Sequence, residues 1–458
     1  MRLLKIVATV GPANYDYNVI RKMVASGTDA FRINMSHGDQ KQWEDFIDLI
    51  NKASNELGIK VTKIADLEGP RVRLGNFEPV KIQQGQNLVL RYENSKIDGI
   101  PVDNKVFFSS IEQGDKILID DGKVSAEVEI VEKDSAEVRI IEGDLLEPRK
   151  GVVLAGKEFD MPPITDKDLN DMKFIAAKDF DYVMVSFVRN SKHIDIVREA
   201  LKKQGANNIG LLAKIETPSG VKNIDEISEA ADGIVVARGD LGMHFPLEQL
   251  PMIQKKIIES ARRKLKPVIL ATEIFMSMIE RPVPSRGEIS DVYKAVEEGV
   301  DGFLVTSETS IGKYPVQVII WLSRVIQEAQ KHITPNRIEI SDISDARIAK
   351  GVVDLANDIG AEIVSYATTI DMSRFIAGFR PSKPIYTGVS EESVAKKLNI
   401  FYGIKPLIVG QSNNEEEGLK VTESYLRKEG VLGAGDTVIE TARSLEENSF
   451  IIKVKQLM

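Results

Sequence analysis

The sequence predicts an α/β protein: a (β/α)8 TIM barrel with an inserted small β-barrel domain and a C-terminal α/β domain. Three observations lead there. Short β-branched runs alternate with amphipathic helical stretches up to Asp66, the rhythm of a parallel sheet. From about Pro70 to Glu158 the rhythm breaks into short alternating segments separated by Gly- and Asp-rich turns. It then resumes with five more strand candidates, which with the three before the insertion make eight, the number that closes a barrel. An open doubly wound sheet shares the alternation, so the count is what favours closure.

Taken in order, residues 4–10 (LKIVATV) read as a buried strand and 17–25 as a helix, with apolar positions at Val19, Ile20, Met23 and Val24. Strand 31–34, helix 43–57 and strand 60–66 follow. Segments 87–92, 116–120 and 126–132 read as strands of the insertion, in which no helical period stands out. The resumed barrel strands are 182–186, 209–215, 233–237, 267–271 and 302–305. Residues 334–345 read as a linker. Beyond it come helix 348–359, strand 362–366, helix 372–379, strand 384–387, helix 394–399, strand 406–409, helix 416–428 and closing strands near 437–441 and 450–454. The predicted domains are therefore 1–69 with 159–333 for the barrel, 70–158 for the insertion and 344–458 for the last unit.

Composition narrows the chemistry. Lys and Arg total 60 against 69 Asp and Glu, a net charge of −9, which argues against a nucleic-acid or anionic-membrane partner. The chain has no cysteine, so thiolate metal sites and thiol nucleophiles are excluded. The four histidines, His37, His193, His244 and His332, lie too far apart in sequence for a zinc motif. Any metal is then a hard cation held by carboxylates, Mg²⁺, Mn²⁺ or K⁺. The N-terminal segment has neither a signal-peptide pattern nor a membrane-spanning run, so a cytoplasmic protein is expected.

Polar residues follow nearly every strand candidate: Thr9, then Arg32, Asn34 and Ser36, then Asp66, Ser186, Lys214 with Glu216, Arg238 with Asp240, Thr272, and Thr306 with Glu308. In a parallel barrel such positions converge on one mouth. Any one of them could be a helix cap or rim residue; together they mark a site. Lys214 and Glu216 stand two apart and share the inward face. They form either an internal ion pair or a cation-holding Glu beside a Lys aimed at an anionic substrate. Asp240 adds a second carboxylate, and residues 237–240 are expected to form a turn exposing backbone N–H groups at the mouth. Arg32, Asn34 and Ser36 are expected to face one side of a strand end, the arginine suited to phosphate and the other two to a monovalent cation. His37 is as readily a packing residue as a ligand.

The segments KIVATVGPAN, DAFRINMSHG, GLLAKIE, DGIVVARGDLG, KPVILATE, RPVPSR and DVYKAV resemble, in order and spacing, the motifs of the pyruvate kinase family. The resemblance is close from Lys5 to about Ala329 and looser beyond. It implies the transfer of the phosphoryl group of phosphoenolpyruvate to ADP, giving pyruvate and ATP at the end of glycolysis. It also implies roles. Lys214 resembles the lysine that neutralises the transferring group, Glu216 and Asp240 the Mg²⁺ (or Mn²⁺) ligands, and Arg32 a phosphate contact. Gly239, Asp240 and Thr272 match positions on the substrate carboxylate, Thr272 also serving the proton relay. Asn34, His37, Arg73 and Lys150 resemble nucleotide contacts, and Arg286 an arginine near the mouth and subunit interface of a homotetramer.

The sequence departs from that family at the third strand, which reads ADLEGPRVR where potassium-requiring members have Asp-Thr-Lys-Gly-Pro-Glu. Arg71 in place of Glu could supply in cis the charge that K⁺ brings, so K⁺ is expected to be dispensable. The alternative is a K⁺ site at Asn34, Ser36, Asp66 and Leu67. Ser307 stands where Gly is common, which alters a turn. The stretch SYATTIDMSR replaces a phosphate-binding loop: Thr368, Thr369 and Ser373 suit phosphate, whereas Ile370 and Asp371 oppose it, so fructose 1,6-bisphosphate is not the expected effector. Two rival readings are a nucleotide-independent lyase or aldolase using the same carboxylate pair, disfavoured by Arg73, Lys150 and the insertion, and a catalytically silent scaffold, disfavoured because every matched position is filled.

Overall fold

The computed structural model describes residues 2–333, 344–444 and 449–458. Eight parallel strands close into a barrel in simple sequential order: β1 (Lys5–Thr9), β2 (Ala30–Asn34), β3 (Thr62–Asp66), β4 (Tyr182–Val185), β5 (Gly210–Ile215), β6 (Gly233–Ala237), β7 (Val268–Ala271) and β8 (Gly302–Val305). Closure is made by β1 pairing with β8, Lys5 opposite Gly302 through Ala8 opposite Val305. The strand period of two sorts the side chains. Ile6, Ala8, Phe31, Ile33, Val183, Leu211, Ala213, Val236 and Leu270 join the apolar layer under the helices, and their neighbours Val7, Ile64, Met184, Leu212, Val235, Ile269 and Leu304 form a separate buried cluster.

Between β3 and β4 the chain builds an all-β unit with its own apolar core. Seven strands run in the order Val72–Arg73, Gly151–Leu154, Lys116–Ile119, Val124–Val131, Ser135–Glu142, Asn87–Tyr92 and Ile100–Val102. A bridge between Leu74 and Val102 joins the two edges, so the sheet curls onto itself. One short helix, Val106–Ser110, lies within it, where the sequence showed no helical period. Five residues are too few for a period to register; Asn104 Oδ1 accepts from the Val106 N–H, and Phe107 and Phe108 fill the core.

The chain enters this unit through Gly69, at φ +70°, where a β-carbon would meet Ser186 Cβ at 2.9 Å. It leaves past Arg189, whose guanidinium donates to the Phe159 and Met161 carbonyls. On the β6 side, His244 Nδ1 lies 3.1 Å from the Leu154 carbonyl.

The predicted linker lies, for residues 334–343, outside the described residues. From helix Ser344–Ile359 onward a five-stranded sheet forms, ordered Ile404–Ile408, Ile385–Val389, Glu362–Tyr366, Thr437–Ser444 and Ser449–Gln456, parallel except for the last strand. This unit packs across the N-terminal end of the barrel. Lys5 Nζ donates to Ile404 O (2.7 Å), Thr62 Oγ1 to Lys396 O (2.6 Å) and Tyr182 Oη to Lys397 O (2.9 Å). Beneath these bonds Val7, Ile64 and Leu304 belong to the same cluster as Val352, Phe401 and Ile404.

Arg380 is clamped there on Asp301 by two hydrogen bonds of 2.8 and 2.7 Å, both side chains almost wholly buried. Asp301 also accepts from the Val268 and Tyr402 N–H groups. Replacing Asp301 by Asn leaves a buried guanidinium without its counter-charge. The expected loss is about 3–5 kcal/mol of stability, read as a lower urea midpoint with an unchanged slope.

Candidate active site

At the C-terminal mouth the inward positions turn from apolar to charged. Lys214, at the end of β5, lies 2.8 Å from Glu216 Oε1 and 3.5 Å from Asp66 Oδ1 at the end of β3, and it donates to Ser186 Oγ at 2.9 Å. Asp66 Oδ2 accepts from Arg32 Nε at 2.7 Å and Nη2 at 2.6 Å, and Arg32 Nη1 reaches Thr9 Oγ1 at 3.3 Å. Glu216, completely buried, accepts from the Phe187 N–H through Oε2. Its other oxygen, like Asp66 Oδ1, has no hydrogen-bond partner although the Lys214 ammonium is beside it.

The electrostatics follow from burial and these neighbours. Burial disfavours the Lys214 ammonium, but Asp66, Glu216 and Asp240 outweigh it and hold the pKa above the ordinary lysine value. Burial likewise works against the Asp66 carboxylate, and Lys214 and Arg32 overcome it, lowering its pKa. At Glu216 burial prevails and, with the Asp240 charge, raises the pKa despite Lys214.

Asp240 lies on the helix Arg238–His244, which begins directly at the end of β6. The sequence had this stretch as a turn; in the structure the helix starts at the residue after the strand, with the Arg238 side chain tied to Asp291. A β-carbon at Gly239 would stand 3.6 Å from Thr272 Oγ1, in the space between the two strand ends. Arg71 lies over the Phe187 ring, 4.9 Å from its centroid, with Nη2 3.4 Å from Asp240 Oδ1. Although burial opposes its charge, Asp240, Glu216, Asp121 and Asp66 together raise its pKa.

Backbone strain gathers at the same mouth. Phe187, Thr272 and Glu273 all have positive φ, at 55°, 67° and 53°. Such conformations cost on the order of 1–3 kcal/mol each and persist only where the surroundings enforce them. Thr272 Oγ1 donates to Ala271 O at 2.6 Å and accepts from the Gly239 N–H at 2.8 Å.

A cavity of about 780 Å³ opens beside Arg32, bounded by Thr9, Asn34, His37, Trp43 and Thr272. Asn34 ends β2 and its Oδ1 accepts from the Ser36 N–H, so Ser36 lies in the following turn and does not share a strand face with Arg32 and Asn34 as expected. Burial, helped by Arg73 and Arg32, lowers the His37 pKa and keeps the ring neutral. Arg73 pairs with Glu68 at 2.7 Å, and a second crevice of about 510 Å³ lies between Ser36, His37 and Arg73.

The chain matches the family model "Pyruvate kinase, barrel domain" over residues 1–319 and "Pyruvate kinase, alpha/beta domain" over residues 346–451. The chain belongs to the pyruvate kinase family. It is 41% identical to a pyruvate kinase of Aeropyrum pernix, covering 99% of each chain, and 34% identical to that of Pyrobaculum aerophilum, covering 95% of this chain and 96% of the other. The crystal structure of the Pyrobaculum aerophilum pyruvate kinase superposes with a TM-score of 0.91 at 32% identity, covering 99% of both chains. A pyruvate kinase from Cryptosporidium parvum gives 0.92 at 27%, covering 100% and 96%. The chain is thus a pyruvate kinase-type phosphotransferase.

Among the residues singled out from the sequence, this pyruvate kinase fold brings Arg32, Asp66, Lys214, Glu216 and Asp240 into one charge network, with Gly239 and Thr272 adjoining it. Leu67 is buried, its carbonyl accepting from Ser186 Oγ. Lys150 stays within the inserted unit, its ammonium 3.1 Å from both Asp120 and Glu147. Arg286 opens the helix Arg286–Glu298 behind a Ser285 capping box. Reading the sequence had missed Phe187, whose N–H anchors Glu216, and the proximity of Arg71 to Asp240, because neither follows from spacing along one strand.

Proposed function

We propose that this site transfers the phosphoryl group of phosphoenolpyruvate to ADP with the help of Mg²⁺ (or Mn²⁺) and without requiring K⁺. The observation that carries it is the buried Lys214 ammonium set between the Asp66 and Glu216 carboxylates at the mouth of the barrel.

Glu216 and Asp240 suit the divalent ion. Burial and the Asp240 charge raise the Glu216 pKa even with Lys214 alongside, and a divalent ion between the two carboxylates would offset both. Two carboxylates leave room for water and substrate oxygens, the usual setting of Mg²⁺. When bound, the ion neutralises charge on the phosphoryl and enolate oxygens.

The chain's own residues do the rest by position and charge. Arg32, its guanidinium plane fixed by Asp66, binds the phosphoryl group of phosphoenolpyruvate, and the Gly239–Asp240 backbone with Thr272 holds its carboxylate. Asn34, His37, Arg73 and Lys150 take the nucleotide; Lys150 leaves Asp120 and Glu147 to do so, as the inserted unit closes and excludes water. A terminal oxygen of ADP attacks phosphorus, the bond to the enol oxygen breaks, and Lys214 offsets the enolate charge. A proton relayed through Thr272 reaches the enolate carbon and yields pyruvate.

Independence from K⁺ is supported by Arg71, whose guanidinium stands among Asp240, Glu216 and Asp66. Three of the alternative K⁺ donors each already accept a hydrogen bond that a cation would have to share: Asn34 Oδ1 from the Ser36 N–H, Asp66 Oδ2 from Arg32 and the Leu67 carbonyl from Ser186. Fructose 1,6-bisphosphate remains unsuited to the C-terminal unit, where Ser373 is buried and Arg374 pairs with Asp371 at 3.2 Å. The domains 1–69 with 159–333, 70–158 and 344–458, a homotetramer and a cytoplasmic setting complete the reading; among the described residues no helix is long and apolar enough to cross a membrane.

A coupled assay tests it. Pyruvate is expected to form from phosphoenolpyruvate only with ADP and a divalent ion, to stop with a chelator, and to continue in buffer free of K⁺ and Na⁺. Pyruvate release without ADP would refute phosphoryl transfer, and silence in the cation-free buffer would refute K⁺ independence alone.

A further inference from the structure

We propose that Arg238 and Glu308 are positioning residues that hold the Thr272 turn from its two sides and so aim the Thr272 hydroxyl into the site. The proposal rests on the reading of Thr272 given above.

Thr272 and Glu273 are consecutive non-glycine residues at positive φ, and a β-branched residue there is an outlier that must be held. Arg238, from the first residue of the helix after β6, donates through Nη2 to the Thr272 carbonyl at 2.9 Å and the Glu273 carbonyl at 2.8 Å. Its Nη1 is anchored at 2.6 Å on Asp291 Oδ2, from the helix Arg286–Glu298. The next two residues are held by their amides. Glu308, completely buried, accepts through Oε1 from the Ile274 N–H at 3.2 Å and the Phe275 N–H at 3.1 Å, while its Oε2 accepts from the Thr306 N–H at 2.7 Å.

Two carbonyls are thus gripped by a guanidinium and the following two amides by a carboxylate. Each side chain reaches across from a neighbouring strand end. The outcome is visible at the hydroxyl, which lies between the Ala271 carbonyl and the Gly239 N–H. Relaxing Thr272 to negative φ would swing Oγ1 away from Gly239. Neither Arg238 nor Glu308 spends these hydrogen bonds on substrate; both act through the backbone that carries Thr272.

The test compares Arg238→Met, Arg238→Lys, Glu308→Gln and Thr272→Ala, alone and combined, by kcat, KM for each substrate and thermal midpoint. Arg238→Met and Glu308→Gln are expected to lower kcat by about 100-fold, the scale of a 1 Å misplacement, with KM for ADP changed less than about twofold because the nucleotide contacts lie elsewhere. Arg238→Lys should recover part of the loss. In the Thr272→Ala background neither substitution should slow the enzyme further, which a merely structural role would not predict. Should Thr272→Ala be slow while folded Arg238→Met and Glu308→Gln remain fast, positioning fails alone; the same holds if their losses multiply with that of Thr272→Ala. Should Thr272→Ala itself turn over normally, the role given to Thr272 fails and takes the proposal with it. If Arg238→Met does not fold, Glu308→Gln, which keeps size and shape, decides by the same criteria.

Discussion

Lys214→Met should lower kcat by about a thousandfold or more, since a preorganised charge in a water-poor site contributes more than a single neutral donor. Among the described residues, its ammonium is the one cation placed within 4 Å of both Asp66 and Glu216. Methionine keeps the length of the side chain and none of its charge, so KM for ADP should change little. The substitution also has a cost in stability. In the native protein Asp66 has a lowered pKa, stabilising the fold above the unfolded carboxylate value and losing that contribution as pH falls through the folded one. Without Lys214 much of that contribution disappears. The thermal midpoint of the variant should therefore fall most at neutral pH and converge on that of the parent as pH drops into the carboxylate range. A variant with near-normal kcat would remove Lys214 from the chemistry. A midpoint deficit independent of pH would show that the ion pairs are not what holds this mouth.

Arg71→Glu is expected to make the enzyme depend on a monovalent cation. The guanidinium now lies 3.4 Å from Asp240 and within the field of Glu216 and Asp66. Exchanging it for a carboxylate removes one positive charge and adds a negative one beside carboxylates proposed to hold the divalent ion. In buffer without K⁺ the loss should reach about a hundredfold, two factors of ten at about 1.4 kcal/mol each. Added K⁺ should restore a large part of it, whereas a larger cation of equal charge should restore less. Arg71→Lys, which keeps the charge but loses the planar stack on Phe187, should retain most of the K⁺-free rate. Equal rates with and without K⁺ in Arg71→Glu would separate Arg71 from monovalent-cation chemistry.

What could be read from the sequence and what could not divide along the range of the interactions. The barrel strands were legible because a buried parallel strand advertises itself locally: 233–237 and 302–305 match the structure residue for residue. Lys214 and Glu216 were legible as a pair because the strand period alone puts them on one face. The Arg238–Thr272–Glu308 arrangement was not, since its hydrogen bonds span 34 residues and end on backbone atoms, which carry no residue signature. The same applies to the Glu216 oxygen bound by the Phe187 amide, 29 positions away. The helix Arg238–His244 was misjudged because a Gly-containing strand end reads locally as a turn, while the tether of Arg238 to Asp291 spans 53 residues and leaves no local mark. Family motifs named Arg32 and Thr272, yet only geometry shows that one is held by Asp66 and the other by strained backbone.

The apolar cluster shared by the barrel floor and the last unit bears on how the chain can be recombined. Val7, Ile64 and Leu304 are covered by Val352, Phe401 and Ile404 instead of by a hydrophilic surface of their own. A gene fragment cut after the eighth strand's helix would therefore encode a barrel with a greasy underside, prone to stick to its own copies. Exchange of C-terminal units between relatives should succeed only where the floor residues travel with them. In modular terms, the seam of this molecule lies within the floor of the barrel, where both units share one core.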